Sequence, residues 1–107
     1  MIAADLVPEP LLKQVVSVLK PRRIILFGSR SRGEAQEDSD YDLVVVLDDD
    51  APEDMLSSRR SYEARRGIHL PIDILPCRES TIKERARAIG SLAHTVLNEG
   101  VIVYERP

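Results

Sequence analysis

The 107-residue sequence predicts an α/β (α+β) fold, a mixed β-sheet flanked by helices. Two observations carry this. Short β-rich apolar runs alternate with stretches of helical period, in the order α-β-α-β-α-β-α-β. One of those runs, Leu43 to Leu47, is continuously apolar and not alternating, which marks a central strand covered on both faces. The length suits one hydrophobic core, and no repeat, linker or low-complexity stretch divides it, so residues 1–107 read as a single domain.

Residues 1 to 8 read as a loose lead-in, with Pro8 and Pro10 suited to a helix start. From Pro10 to Lys20, Leu11, Leu12, Val15, Val16, Val18 and Leu19 recur at near-helical spacing, and Pro21 ends the helix. Ile24 to Phe27 is the first strand. A short helix from about Ser29 to Glu34 and a polar loop from Ala35 to Ser39 are expected next. The second strand runs from Asp42 to Leu47, and Asp48-Asp49-Asp50 forms an acidic turn or helix cap, since it lacks the glycine and terminal glutamate of a calcium loop. A weakly amphipathic helix is predicted over Pro52 to Arg66, with Gly67 as its stop. A strand from Pro71 to Leu75 follows. Ser80 to Leu97 places Ile82, Ala86, Ile89, Leu92, Ala93 and Val96 on one stripe, which predicts a long core-facing helix ended by Asn98-Glu99-Gly100. Val101 to Tyr104 is the last strand.

The chemistry concentrates at the ends of these strands. Gly28 breaks the apolar run Ile24-Ile25-Leu26-Phe27; having no Cβ, it lets a phosphate approach the backbone, and Ser29 adds a hydroxyl and an amide at the start of the expected short helix. Arg30 and Arg32 bring positive charge beside them. Asp40 and Asp42 sit at i and i+2 where the next strand opens, so both point to one face, with side chains leaving the backbone roughly 6–7 Å apart. That span can close on two divalent ions about 3.5–4 Å from each other. Without cations the arrangement is costly, because two carboxylates at about 4 Å repel by roughly 4 kcal/mol at an effective dielectric of 20. Asp73 interrupts the run Leu70-Pro71-Ile72-Asp73-Ile74-Leu75. A carboxylate inside a strand is either a metal ligand or a surface residue on a half-exposed strand, and the Asp40/Asp42 pair favours the ligand.

A Gly-Ser turn, an Asp-x-Asp pair and a later strand aspartate together resemble the DNA polymerase β nucleotidyltransferase superfamily. The string Leu26-Phe27-Gly28-Ser29-Arg30-Ser31-Arg32-Gly33 is similar to its minimal nucleotidyltransferases, the MNT domains that act as antitoxins beside HEPN-domain partners. The likeness runs from the helix before Arg22 to the strand ending near Tyr104, with Ser31 standing where the family often has Ala. It implies the polymerase β-type nucleotidyltransferase fold, ATP as substrate and two Mg²⁺ ions held by Asp40, Asp42 and Asp73. It also implies binding of the nucleotide by Gly28, Ser29, Arg30 and Arg32. The acceptor it implies is a hydroxyl, a tyrosine, of a HEPN RNase toxin in a hetero-oligomeric complex. A non-catalytic antitoxin that merely covers its partner, or a small-molecule nucleotidyltransferase of the aminoglycoside type, are the competing readings.

Composition bounds the partners. A formal net charge of -3 and an acidic isoelectric point disfavour a polynucleotide grip. The one basic cluster, Arg59, Arg60, Arg65 and Arg66, reads as a solvated helix face or as a docking patch for an acidic partner or RNA. Cys77 is the single cysteine, so no internal disulfide forms and an oxidising compartment is not indicated. His69 and His94 lack the spacing of a local zinc motif. There is no signal-peptide pattern and no run long enough to span a bilayer, so a cytoplasmic protein is expected.

Overall fold

The computed structural model describes residues 2–36 and 39–107; Met1, from the expected lead-in, and Glu37 and Asp38, from the expected polar loop, lie outside the described residues. Helix α1, Glu9–Leu19, carries Pro10 in its first turn, where the missing N–H costs nothing, and buries Leu11, Val15 and Leu19 at four-residue intervals. It stops at Lys20, whose left-handed backbone (φ 48°) precedes Pro21. Strands β1 (Arg23–Phe27) and β2 (Tyr41–Leu47) follow, then a 3₁₀ turn at Glu53–Leu56 and α2 at Ser58–Arg65. Strand β3 is Ile72–Arg78, α3 is Glu79–Arg85, α4 is Leu92–Glu99 and β4 is Val101–Glu105.

Among the described residues the strands form one four-stranded mixed sheet in the order β3-β2-β1-β4. β1 pairs antiparallel with β2 and β4, while β2 pairs parallel with β3. The sheet separates two apolar layers. On one face Ile24, Leu26, Leu43, Val45, Leu47 and Ile74 pack under α1 and α2. On the other, Ile25, Val44 and Val46 pack under Ile82 of α3 and Val96 of α4. β2 is buried on both faces from Leu43 to Leu47, as its continuous apolar run requires.

Four expectations are corrected. The lead-in is held down: Val7 is buried, and the Ala3 N–H donates to the Ile102 carbonyl at 2.9 Å. Residues 29–33 form consecutive turns and no helix. There the Ser31 hydroxyl donates back to the Gly28 carbonyl at 2.7 Å and offers the backbone a competing partner. The helix expected over Pro52 to Arg66 is split at Ser57, whose extended backbone and hydroxyl cap the Arg60 N–H at 3.2 Å and start α2 afresh. The long helix expected over Ser80 to Leu97 is likewise two helices. Gly90 adopts φ +88°, and the Ser91 hydroxyl caps the His94 N–H at 3.1 Å while donating to the Arg85 carbonyl at 3.0 Å. The break turns Ile89 and Leu92 outward, so two members of the expected core stripe are exposed. Among the described residues no helix is long and apolar enough to cross a membrane.

Candidate active site

At the end of β1 the chain leaves the sheet at Gly28, with φ +80°, and turns back through residues 29–33. The Ser31 N–H donates to the Gly28 carbonyl at 3.1 Å, and the Arg32 and Glu34 N–H groups donate to the Ser29 carbonyl at 3.2 and 3.0 Å. Neither the N–H nor the hydroxyl of Ser29 is engaged by another described residue, so both are available to a ligand at the mouth of the turn.

The strand pairing sets the carboxylates beside this turn. Phe27 is the register partner of Asp42 across the antiparallel pair, and Asp42 is the register partner of Asp73 across the parallel pair. Aligned residues on neighbouring strands share a face, about 4.7–4.9 Å apart in backbone spacing. Asp42 alternates with Val44 and Val46, and Asp73 with Leu75 and Cys77, so both carboxylates stand on the α3/α4 face, at the open end of the row. Gly28 closes the site from the β1 side: a Cβ on it would lie 2.6 Å from Asp42 Oδ2.

Asp40 lies outside the strand, which begins at Tyr41, and is exposed, whereas Asp42 is half-buried. Asp73 is exposed on the edge strand, so its claim to a role rests on its register with Asp42 and not on the cost of burying a charge. Among the described residues no three His, Cys, Asp or Glu side chains enclose an ion as they are placed. What the site offers is a carboxylate pair in register with a third carboxylate at its mouth. Burial, and then the charges of Asp40 and Asp73, push the Asp42 carboxyl up from its ordinary value. No arginine or lysine among the described residues is paired with any of the three. Hard oxygen donors that repel one another and lack a protein cation fit a divalent ion such as Mg²⁺.

The two arginines beside the turn have different surroundings. Arg30 turns inward, donating to the Ser39 carbonyl at 2.9 Å and the Gln36 carbonyl at 3.3 Å, with its guanidinium 4.0 Å from the Tyr41 ring centre. It holds Ser39 and Tyr41, the two chain neighbours of Asp40. Arg32 is exposed and pairs with Glu34. Nothing in the sequence separates a phosphate-binding arginine from a bracing one, except that Tyr41 follows Asp40 where a guanidinium could stack on it.

A match to the nucleotidyltransferase domain family extends over residues 9–103. The chain belongs to the nucleotidyltransferase domain family. It is also similar to a crystal structure described as a toxin-antitoxin with AMP-PNP, with TM-score 0.59 and 16% identity over 94% of this chain and 75% of that one. A second neighbour is a putative nucleotidyltransferase from Sulfolobus solfataricus, with TM-score 0.55 and 21% identity over 91% of this chain and 79% of that one. No curated protein matches significantly. At these identities the solved structures establish the fold, which is that of the nucleotidyltransferase domain. The remaining candidates in this nucleotidyltransferase lie apart from the carboxylates. Cys77 packs in the apolar layer under α3 and α4, and burial pushes its thiol up to about 11, which suits a packing role. His69 is exposed and His94 half-buried on α4. Arg59 and Arg60 are tied to Asp54 at 2.9 and 2.8 Å, and Arg59 to Glu63 at 2.8 Å, a paired helix face.

Proposed function

We propose that this nucleotidyltransferase transfers AMP from ATP to a hydroxyl, a tyrosine, of a HEPN-domain RNase toxin and thereby acts as its antitoxin in the cytoplasm. The observation that carries the chemical step is the register of Asp42 with Asp73 beside the Gly28-Ser29 turn, in a chain of the nucleotidyltransferase family. Support for the partner comes from the MNT-like string around Gly28 and from the fold shared with a structure described as a toxin-antitoxin with AMP-PNP.

In this reading the Ser29 N–H and hydroxyl hold the terminal phosphates, which places the α-phosphate over Asp42. Asp40, Asp42 and Asp73 would hold two Mg²⁺ ions, which supply charge neutralisation at the α-phosphate and acidify the acceptor hydroxyl. The acceptor oxygen forms the new bond to the α-phosphorus, the bond from that phosphorus to the bridging oxygen breaks, and pyrophosphate leaves. Asp73, on the outer strand, takes the hydroxyl proton. The three carboxylates thus divide between positioning the nucleotide and receiving the acceptor.

Intact-mass spectrometry of the chain co-expressed with the product of its neighbouring gene tests this. Mass gains on the partner in steps of one AMP, lost with Asp42→Asn, are expected. A stable complex without any adduct would make it a binding antitoxin, and AMP found only on a small metabolite would make it a small-molecule transferase.

A further inference from the structure

The sheet order gives the site a direction. Gly28 and Ser29 follow the end of β1, Asp42 lies on the neighbouring β2, and Asp73 on β3, beyond which the sheet has no further described strand. The outer edge of β3 is thus the edge of the sheet nearest Asp73. We infer that β3 is the docking edge for the acceptor, and that the acceptor is an extended polypeptide segment added as a strand. This rests on the transfer reading above for the hydroxyl set beside Asp73; the strand pairing and the two flanking contacts do not depend on it.

The hydrogen-bonding parity of β3 sets what the edge offers. Tyr41 donates its N–H to the Pro71 carbonyl at 2.9 Å, so Pro71, Asp73, Leu75 and Cys77 turn their backbone groups toward β2. Ile72, Ile74 and Pro76 turn theirs outward. Proline at the outward position 76 costs the β2/β3 ladder nothing and removes one donor from the free edge. Ile72 and Ile74, the two residues that flank Asp73, keep both a donor and an acceptor on that edge.

Both flanks of this edge are hollow. On the α2 side a groove of about 360 Å³ runs along Ile72 to Pro76 and is walled by Leu56, Tyr62 and Arg65. On the α3/α4 side an apolar cavity of about 550 Å³ lies between Val44, Leu75, Cys77, Ile82, Leu92 and Val96. Leu75 and Pro76 line both. Successive side chains of an added strand alternate between the two flanks. The residue beside Asp73 presents its hydroxyl to the carboxylates, and the residue two away enters the apolar cavity next to Leu75. The one between them faces Tyr62 and Arg65. Arg65 stacks over Tyr62 at 5.3 Å and, unlike Arg59 and Arg60, has no acidic partner among the described residues, so the intervening residue is acidic. The segment recognised reads hydroxyl, acidic, apolar.

The test uses the full chain and a nine-residue peptide containing Tyr-Glu-Leu, with a Tyr-Lys-Leu version as its charge-swapped pair. Without nucleotide, binding of Tyr-Glu-Leu should shift the amide signals of Ile72 and Ile74 and protect them from hydrogen exchange. Arg65→Glu should weaken Tyr-Glu-Leu about tenfold and restore Tyr-Lys-Leu. ATP with Mg²⁺ should leave peptide affinity intact. If the peptide binds but no AMP is transferred in any assay, the docking edge stands and the transfer reading falls. If AMP is transferred while the Ile72 and Ile74 amides stay unmoved, or the charge swap fails to rescue, the docking edge falls alone. Failure of the peptide to bind, displacement of it by ATP, or pairing of β3 with a second copy of the chain seen by sedimentation also overturns it.

Discussion

Gly28 and Asp42 occupy the same space in the sense that matters for substitution: a Cβ on Gly28 would stand 2.6 Å from Asp42 Oδ2. The glycine is required twice, by its φ of +80° and by the carboxylate that lies against it. Phosphate approach, the reason first suggested by the sequence, is added to a packing constraint inside the protein. Gly28→Ala should therefore cost about 1–2 kcal/mol for the backbone alone and abolish transfer by displacing Asp42. In the Asp42→Ala background the same change should cost less, because the collision is gone while the backbone strain remains. Equal costs in the two backgrounds, measured by urea denaturation, would show that the carboxylate does not lie there.

The carboxylate pair makes a prediction of opposite sign for stability and activity. Asp42→Asn and Asp73→Asn should each lower transfer by at least about a hundredfold. In chelating buffer at neutral pH, Asp42→Asn should melt a few degrees higher than the parent, because burial and the neighbouring charges already disfavour its ionised form. Mg²⁺ with nucleotide should then stabilise the parent more than the variant. A variant that melts lower in chelator would show that Asp42 is a structural anchor.

Arg30 separates bracing from phosphate binding. Its contacts to Ser39 and Tyr41 hold the two chain neighbours of Asp40. Arg30→Ala should lower kcat about tenfold with little change in KM for ATP, since the loss falls on the placement of a carboxylate. Arg30→Lys should behave nearly as badly, because an ammonium cannot serve two carbonyls and a ring in one plane. A large rise in KM for ATP at unchanged kcat would return Arg30 to the phosphates.

Much of this fold was legible because burial writes itself into periodicity. Leu11, Val15 and Leu19 announce one face of α1, and the unbroken run Leu43 to Leu47 announces a strand covered on both sides. The three misplaced helices share one cause, a local polar group that outbids the pattern. Ser31, Ser57 and Ser91 each offer a hydroxyl to nearby backbone, and each sits where a predicted helix is absent or broken. Gly90 before Ser91 was the available signal, a left-handed stop followed by a cap. For the candidate site, spacing singled out Gly28, Asp40 and Asp42, and the interruption of an apolar run singled out Asp73. That Asp42 and Asp73 are register partners depends on strand order, which no local pattern encodes.

Ser91 itself is open to measurement. Ser91→Ala removes the cap on the His94 N–H and the bond to the Arg85 carbonyl, and should cost about 1 kcal/mol. Replacing Gly90 with Ala should destabilise by a comparable amount through its φ of +88°. If the pair of changes instead raised helix content and stability, the break between α3 and α4 would be no part of the native fold.

At the opposite end of the sheet, Glu79 at the start of α3 receives Arg23 at 2.5 Å through both carboxylate oxygens and Lys83 at 3.0 Å. Burial of Glu79 opposes its charge, yet Lys83 and Arg23 hold the carboxyl below its ordinary value of 4.5. An acid whose pKa falls on folding contributes stability that is present above its unfolded pKa and lost as pH drops through the folded one. Asp48 is lowered in the same sense, by Arg106 first and then Arg22. The contributions of Glu79 and Asp48 should accordingly be level from neutral pH down to about 4.5 and fall below it, while Asp42, whose carboxyl is pushed up, contributes in the opposite sense. Glu79→Gln should cost about 1–3 kcal/mol at pH 7, leaving the half-buried Arg23 without its counter-charge. The gap between variant and parent should close as the pH falls, because the parent then protonates what the variant already lacks. Denaturant titrations at pH 7, 5 and 3 decide it, and a gap that stays constant across them would show that Glu79 holds α3 to β1 by packing and not by charge.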